Sequence, residues 1–122
     1  MLLCSNVLIL RDLPRFMFLA LQVPKITIND ANVELLKMTN VSVTIGGKVT
    51  TLDRNKVSIV CQVTGVPSPE ITWERDEVEL QKGGVFYTIE SVTSKDSGRY
   101  TCVAKNVGGE VKATTQLQVL GT

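Results

Sequence analysis

Apolar and polar residues alternate in short runs from Val33 onward, and this period of two places successive side chains on opposite faces of a β-strand. Turn-forming residues separate the runs and predict turns at residues 46–47, 65–69 and 106–109. No stretch carries a convincing helical period. The pattern predicts an all-β domain, an antiparallel sandwich or a barrel, with alternating runs at residues 41–45, 57–63, 71–73, 87–89, 100–104 and 111–119.

Residues 1–30 follow a different pattern. Two apolar stretches, 1–10 and 16–21, are separated by charged residues and a proline, so neither is long enough for a membrane-spanning helix. A secretory signal peptide is compatible with their length, although no basic residue precedes the first stretch and Ala20-Leu21-Gln22 is a poor cleavage site. We interpret residues 1–30 as a leader or poorly ordered segment, from a signal or an alternative exon, and residues 31–120 as one domain.

The amino-acid composition excludes several classes of function. The 122 residues are 43% hydrophobic and 20% charged with a formal net charge of +1, which is typical of a globular domain without a strong electrostatic field. We therefore expect neither nucleic-acid binding nor insertion of this domain into a membrane. The absence of histidine excludes Ser-His and Cys-His catalytic pairs, and three cysteines are too few for a Cys₄ zinc site. We expect no enzymatic activity, cofactor or metal.

Several motifs follow one another in order along the domain. After Cys61 come G-x-P-x-P-x-I-x-W at residues 65–73, D-x-G-x-Y-x-C at residues 96–102 and A-x-N-x-x-G at residues 104–109. In this order and at these spacings they resemble the immunoglobulin superfamily, and in particular its intermediate, or I-set, class. The resemblance implies an immunoglobulin-like antiparallel β-sandwich.

The resemblance also implies structural roles for six residues. They are an inter-sheet disulfide between Cys61 and Cys102, Trp73 packed against that disulfide, a hydroxyl of Tyr100 bonded to backbone near Asp96, and Gly98 in the tight turn that Asp96 starts. Both cysteines lie in the inward-facing sets of their runs, which is compatible with the bond. None of the six is read as a ligand-binding residue.

The chain departs from the I-set pattern in two places. Trp73 and Cys102 are closer in sequence than usual, and the missing stretch lies between Leu80 and Phe86, where strands C′ and D normally run. We therefore expect a shortened C′–D region in which residues 81–84 make the crossing almost alone. The extra segment 50–55 either prolongs the first strand or forms a loop. The aspartate of D-x-G has no clear basic partner.

A shortened C′–D region leaves strand backbone uncovered, and unpaired backbone groups at a sheet edge readily accept another strand. Few charged residues flank the segment from Val78 to Tyr87. We therefore expect weak self-association through an edge-contact segment that includes Val78, Val85 and Tyr87.

The resemblance implies a non-catalytic protein–protein interaction or spacer module of a larger extracellular matrix, adhesion or receptor protein. Modules of the papilin and ADAMTS-like type are loosely similar. Its partners are then other proteins, including neighbouring immunoglobulin modules. Two alternatives stay open: an intracellular structural module of a giant muscle protein, and an ancillary domain of a secreted protease or receptor kinase. In an exported protein, the sequon Asn40-Val41-Ser42 would make Asn40 an N-glycan acceptor.

Overall fold

The computed structural model describes residues 21–36 and 40–121, with the side chains of Asn40 and Val41 excepted. This part of the chain forms eleven strands and a 3₁₀ turn at Ser94–Asp96. The strands are β1 (Gln22–Ile26), β2 (Asn32–Leu35), β3 (Asn40–Thr44), β4 (Lys48–Leu52), β5 (Lys56–Val60), β6 (Val63–Val66), β7 (Glu70–Arg75), β8 (Val78–Lys82), β9 (Phe86–Ile89), β10 (Gly98–Asn106) and β11 (Gly109–Leu120).

Two sheets enclose the core. A six-stranded sheet has the order β2-β4-β11-β10-β7-β8, a three-stranded sheet has the order β3-β5-β9, and β1 pairs with β6 alongside them. Alternate residues of each strand face inward, as the period of two requires. In β11, for example, Ala113, Thr115, Leu117 and Val119 are buried while the residues between them are exposed. The expected all-β sandwich is confirmed.

Pairing is antiparallel at the centre of the sandwich but parallel at its N-terminal side. The pairs β10–β11, β7–β10, β7–β8, β5–β9 and β1–β6 are antiparallel. In contrast β4–β11, β2–β4 and β3–β5 are parallel. Parallel neighbours need a long crossover. Here the chain supplies one by moving between the sheets, with β2 and β4 in the six-stranded sheet and β3 in the other.

Two glycines carry the chain from β3 to β4. A Cβ at Gly46 would lie 2.4 Å from the carbonyl oxygen of Asn29, and one at Gly47 would lie 2.3 Å from that of Ala31. Their φ values of 124° and 58° are also in the range that side chains disfavour. The segment 50–55 has two parts. Residues 50–52 complete strand β4, which ends at Leu52, and the residues after them form a turn.

The sandwich begins earlier than the boundary at residue 31 that the sequence suggested. Strand β1 pairs with β6 in the register Gln22↔Val66 and Ile26↔Val63, and Thr27 N donates to Gln62 O at 3.0 Å. The boundary is therefore corrected, since the first strand of the domain starts at Gln22. Of the predicted leader at residues 1–30, residues 1–20 lie outside the described part of the chain, and for them the leader stays a prediction.

The C′–D region is as short as expected. All residues between Val78 and Ile89 are described, and β8 continues into β9 of the opposite sheet without a strand between them. Gly83 and Gly84, with φ of 84° and 86°, make the turn. Gly83 N donates to Ile71 O at 2.7 Å, and Val85 O accepts from Cys61 N at 2.7 Å. The crossing is therefore tied to both sheets.

Candidate interaction surface

A disulfide joins the two sheets at the centre of the core. Cys61 directly follows β5 and Cys102 lies in β10, their Cα atoms are 6.4 Å apart, and both are fully buried. Trp73 on β7 is the cross-strand neighbour of Cys102 and is also fully buried. The indole N–H donates to the carbonyl of Gly84 at 3.0 Å. Trp73 therefore belongs to the core and also holds the β8–β9 crossing in place.

Tyr87 was expected at the edge, but it is partly buried and its ring packs against the core. The ring centroid is 5.8 Å from that of Trp73 and 5.7 Å from that of Tyr100. Tyr87 lies opposite Ile59 in the β5–β9 ladder, and Ile59 faces inward. The edge-contact segment is therefore corrected to exclude Tyr87, because its position in the ladder turns the ring toward β7.

Tyr100 closes a corner between β10 and the 3₁₀ turn. Its hydroxyl donates to the carbonyl of Asp96 at 2.5 Å, and the ring is buried. Burial raises the pKa of Tyr100 to about 12; the positive charge of Arg75 opposes this shift and the negative charge of Asp96 adds to it. The hydroxyl is therefore a protonated donor at neutral pH, which suits a structural role.

The carboxylate of Asp96 caps the turn rather than meeting a cation. It accepts hydrogen bonds from the backbone N–H of Thr93 at 2.8 Å and from the Thr93 hydroxyl at 3.3 Å. The guanidinium of Arg75 lies nearby but donates to the carbonyls of Lys95 and Ser97. Arg75 therefore binds the backbone of the turn and not the carboxylate of Asp96, and the sequence did not reveal this role.

Gly98 follows the turn that residues 93–97 make, and it pairs with Leu117 as the first residue of β10. Its φ of 158° is a conformation that side chains rarely adopt, so glycine is favoured where the chain leaves the turn. A Cβ at Gly98 would also lie 2.9 Å from Oδ2 of Asp76 and 3.1 Å from Nε of Arg75, so its absence leaves room for these two side chains.

Asn106 is a structural residue that sequence reasoning noted only as part of a motif. Its side-chain amide donates to Gln22 O at 2.7 Å and to Pro67 O at 3.0 Å, and its Oδ1 accepts from Gly108 N at 2.7 Å. These three bonds connect strand β1, the β6–β7 loop and the β10–β11 hairpin. The asparagine of A-x-N-x-x-G was the signal for this site.

The open edge of the six-stranded sheet is the exposed surface that stands out. Val78 and Leu80 of β8 are 66% and 40% exposed. Val85 and Phe86, which follow the Gly83-Gly84 turn, are 46% and 50% exposed. Val78 opposes Arg75, whose guanidinium lies 5.8 Å from the centre of the buried Tyr100 ring. Val78 therefore lies on the inward side of β8 and is nevertheless exposed there.

Asn40 is the first residue of β3, which forms one edge of the three-stranded sheet, and it pairs with Lys56 in register. Its side chain lies outside the described part of the structure. The sequon prediction therefore stays a prediction.

The described residues contain no group of three or more His, Cys, Asp or Glu side chains that could hold a metal ion. A groove of about 600 Å³ lies open beside the β8–β9 crossing, lined by residues that include Ile71, Lys82 and Val85. Within residues 21–36 and 40–121 no helix has the length and apolar character to cross a bilayer.

Known proteins contain similar segments. A family model described as an immunoglobulin domain matches residues 23–106. The chain is 40% identical over 86 residues to human ADAMTS-like protein 1, covering 66% of this chain and 5% of that protein. It is 34% identical over 80 residues to human hemicentin-1, covering 59% and 1%. It is 37% identical over 76 residues to vascular endothelial growth factor receptor 1 of Gallus gallus, covering 56% and 6%.

Among solved structures, the Sidekick-1 immunoglobulin domains 1–5 match with a TM-score of 0.62 at 25% identity, covering 84% of this chain and 20% of that one. The chain thus spans a small fraction of the length of the relatives that it matches.

Proposed function

Because the chain belongs to the immunoglobulin domain family, we propose that it is a non-catalytic protein–protein interaction or spacer module of a larger extracellular protein. Family membership supports a module that binds other proteins through its sheet faces or edges. The relatives include a receptor by name, and their segments are small parts of long chains. A matrix protein of the ADAMTS-like type is the narrower candidate, supported by the identity to ADAMTS-like protein 1.

The observation that carries the extracellular proposal is the buried disulfide between Cys61 and Cys102. Disulfides persist outside the cell, whereas the cytosol keeps most thiols reduced. An intracellular muscle module would hold these cysteines as free thiols, so the bond favours the extracellular alternative. The other alternative, an ancillary domain of a secreted protease or receptor kinase, shares this location and assigns the catalysis to another part of the parent chain.

The test is the redox state of the two cysteines in the protein as cells make it. We expect non-reducing peptide mapping of the parent protein to recover one linked peptide pair that contains Cys61 and Cys102. Alkylation under native conditions should modify neither residue. If both thiols of the folded protein react with the alkylating reagent, the extracellular proposal fails.

Glycosylation of Asn40 provides an independent readout of export. We propose that Asn40 carries an N-glycan, on the support of its sequon and its place at the start of an edge strand. Treatment with peptide N-glycosidase should lower the mass of wild-type material from mammalian cells and leave the Asn40→Gln variant unchanged. Equal masses for treated and untreated wild type would contradict the glycan.

A further inference from the structure

We infer that strand β8 is a self-association edge through which two copies of the domain pair antiparallel, with Glu77 and Glu79 of each copy facing Lys82 of the other. This inference does not depend on the proposed function, because the edge of β8 is open whatever the location or other partners of the domain. It rests on three features: the open side of β8, the register irregularity within β8, and the order of the charges in β8 and in the turn before it.

The side of β8 that faces away from β7 is open. β8 is the last strand of the six-stranded sheet, so backbone groups on that side have no ladder partner among the described residues. The apolar side chains Val78 and Leu80 are exposed along it. An added strand would satisfy these backbone groups, and its side chains would pack beside the exposed Val78 and Leu80.

The β7–β8 register shows which side chains share a face. Val78 and Gln81 lie opposite Arg75 and Trp73 and therefore face inward, whereas Glu79 lies opposite Glu74 on the outer face. In a regular strand, residues 78 and 81 would lie on opposite faces. The register shift between Trp73 and Glu74 adds one residue to β8, and it is this extra residue that brings both side chains to the inner face.

This irregularity selects one pairing of β8 with a second copy. Directly opposed residues in an antiparallel pair share a face. A two-fold axis between residues 79 and 80 satisfies this rule for the inward-facing residues, since it places Val78 opposite residue 81 of the second copy. The unpaired residue 80 then lies opposite Glu79 at the axis. Such an interface is self-complementary, as a two-fold dimer requires.

The charges of β8 and of the turn before it fit the same register. The axis between residues 79 and 80 brings Glu79 diagonal to Lys82 of the second copy, within reach of its long side chain. It also brings Glu77, a turn residue with a φ of 72° directly before β8, beside the same lysine. Each contact occurs twice. The two ion pairs among the described residues, Lys56–Glu90 and Arg75–Asp76, leave these three charges without an ionic partner in the single chain.

The second copy also relieves a repulsion. Glu74 and Glu79 are directly opposed on the outer face of β7 and β8, and like charges at such positions destabilise a sheet. A lysine from the second copy beside Glu79 would reduce that repulsion. The β9 edge is less accessible, because the side chain of Gln81 already donates to the carbonyl oxygen of Phe86 at 3.2 Å.

Charge reversal tests the pairing. One variant combines Glu77→Lys with Glu79→Lys, and a second carries Lys82→Glu; all these side chains are exposed, so folding should be preserved. Glu110→Lys, on the exposed surface of β11, is the matched control. Sedimentation velocity of the full chain is measured from micromolar to millimolar concentration, with circular dichroism to verify the fold.

We expect the sedimentation coefficient of wild type and of Glu110→Lys to rise with concentration toward that of a dimer. Each charge-reversal variant should stay monomeric, because every contact then joins like charges. An equimolar mixture of the two variants should associate again, since every contact in the mixed dimer joins opposite charges. A monomeric wild type at millimolar concentration, continued association of the single variants, or failure of the mixture to associate would each overturn the inference.

Discussion

Replacement of Trp73 by alanine is the most direct test of the core. The side chain is fully buried beside the disulfide and packs against Tyr87 at 5.8 Å between ring centroids. A buried tryptophan removes about 150–250 Å² from water, which at about 25 cal/mol per Å² corresponds to roughly 4–6 kcal/mol, of which alanine retains a small part. Large-to-small replacements of this kind cost about 3–5 kcal/mol. We expect Trp73→Ala to lower the free energy of unfolding by that amount.

A second variant separates packing from hydrogen bonding. Trp73→Phe keeps an aromatic ring in the core but removes the N–H that donates to the exposed Gly84, so we expect a smaller loss of about 1–2 kcal/mol. Glu74→Ala is the matched control on the neighbouring outward position. It should change stability by less than about 0.5 kcal/mol, because Glu74 is partly exposed and faces another carboxylate.

The assay is urea unfolding followed by far-ultraviolet circular dichroism. Fluorescence is unsuitable because Trp73 is the chain's single tryptophan. The midpoints should rank Glu74→Ala highest, Trp73→Phe next and Trp73→Ala lowest, with similar denaturant slopes for the three. Equal midpoints for Trp73→Ala and Glu74→Ala would refute the assignment of Trp73 to the centre of the core.

Two further predictions concern single hydrogen-bonding residues. The pKa of Tyr100 is raised in the folded state, so stability should be unaffected below about pH 10 and should fall by up to about 2–3 kcal/mol as the pH rises from about 10 to about 12. Urea midpoints across that range should show the fall in wild type and a flatter profile in Tyr100→Phe; equal profiles would contradict it. Asn106→Ala removes the bonds to Gln22, Pro67 and Gly108 and should cost about 1–2 kcal/mol, with faster amide exchange in β1. Unchanged exchange in β1 would show that Asn106 does not hold that strand.

Much of this fold could be predicted because its signals are local. Alternation along β5, β10 and β11 indicated which residues face inward, since the period of two is a property of the strand itself. The I-set resemblance supplied the usual distance between Trp73 and Cys102, and the shorter distance in this chain indicated a shortened C′–D region. Only the alternation required no knowledge of which strands meet.

The candidate edge was predicted only in part. Val78 and Val85 are exposed as expected, but the ring of Tyr87 packs against Trp73 and Tyr100 because β9 pairs with β5. The closeness of Gly98 to the side chain of Asp76 could not be predicted either, because it depends on how β10 packs beside the β7–β8 turn. Contacts between residues distant in sequence depend on how the sheets pack. A sequence motif indicates that a residue is needed, but it does not indicate which contact needs it.

The sequence by itself determined the class of fold, the inward and outward faces of most strands, the class of protein to which the chain belongs and the lack of histidine-based chemistry. The tertiary structure decided the start of the domain at β1, the parallel pairs that include β2, β3 and β4, and the shared inner face of Val78 and Gln81. The physical reason is the distance along the sequence over which each kind of interaction acts. Side-chain alternation follows from backbone geometry within one strand, whereas direction, register and irregularities of pairing arise only when separate strands meet and satisfy each other's hydrogen bonds.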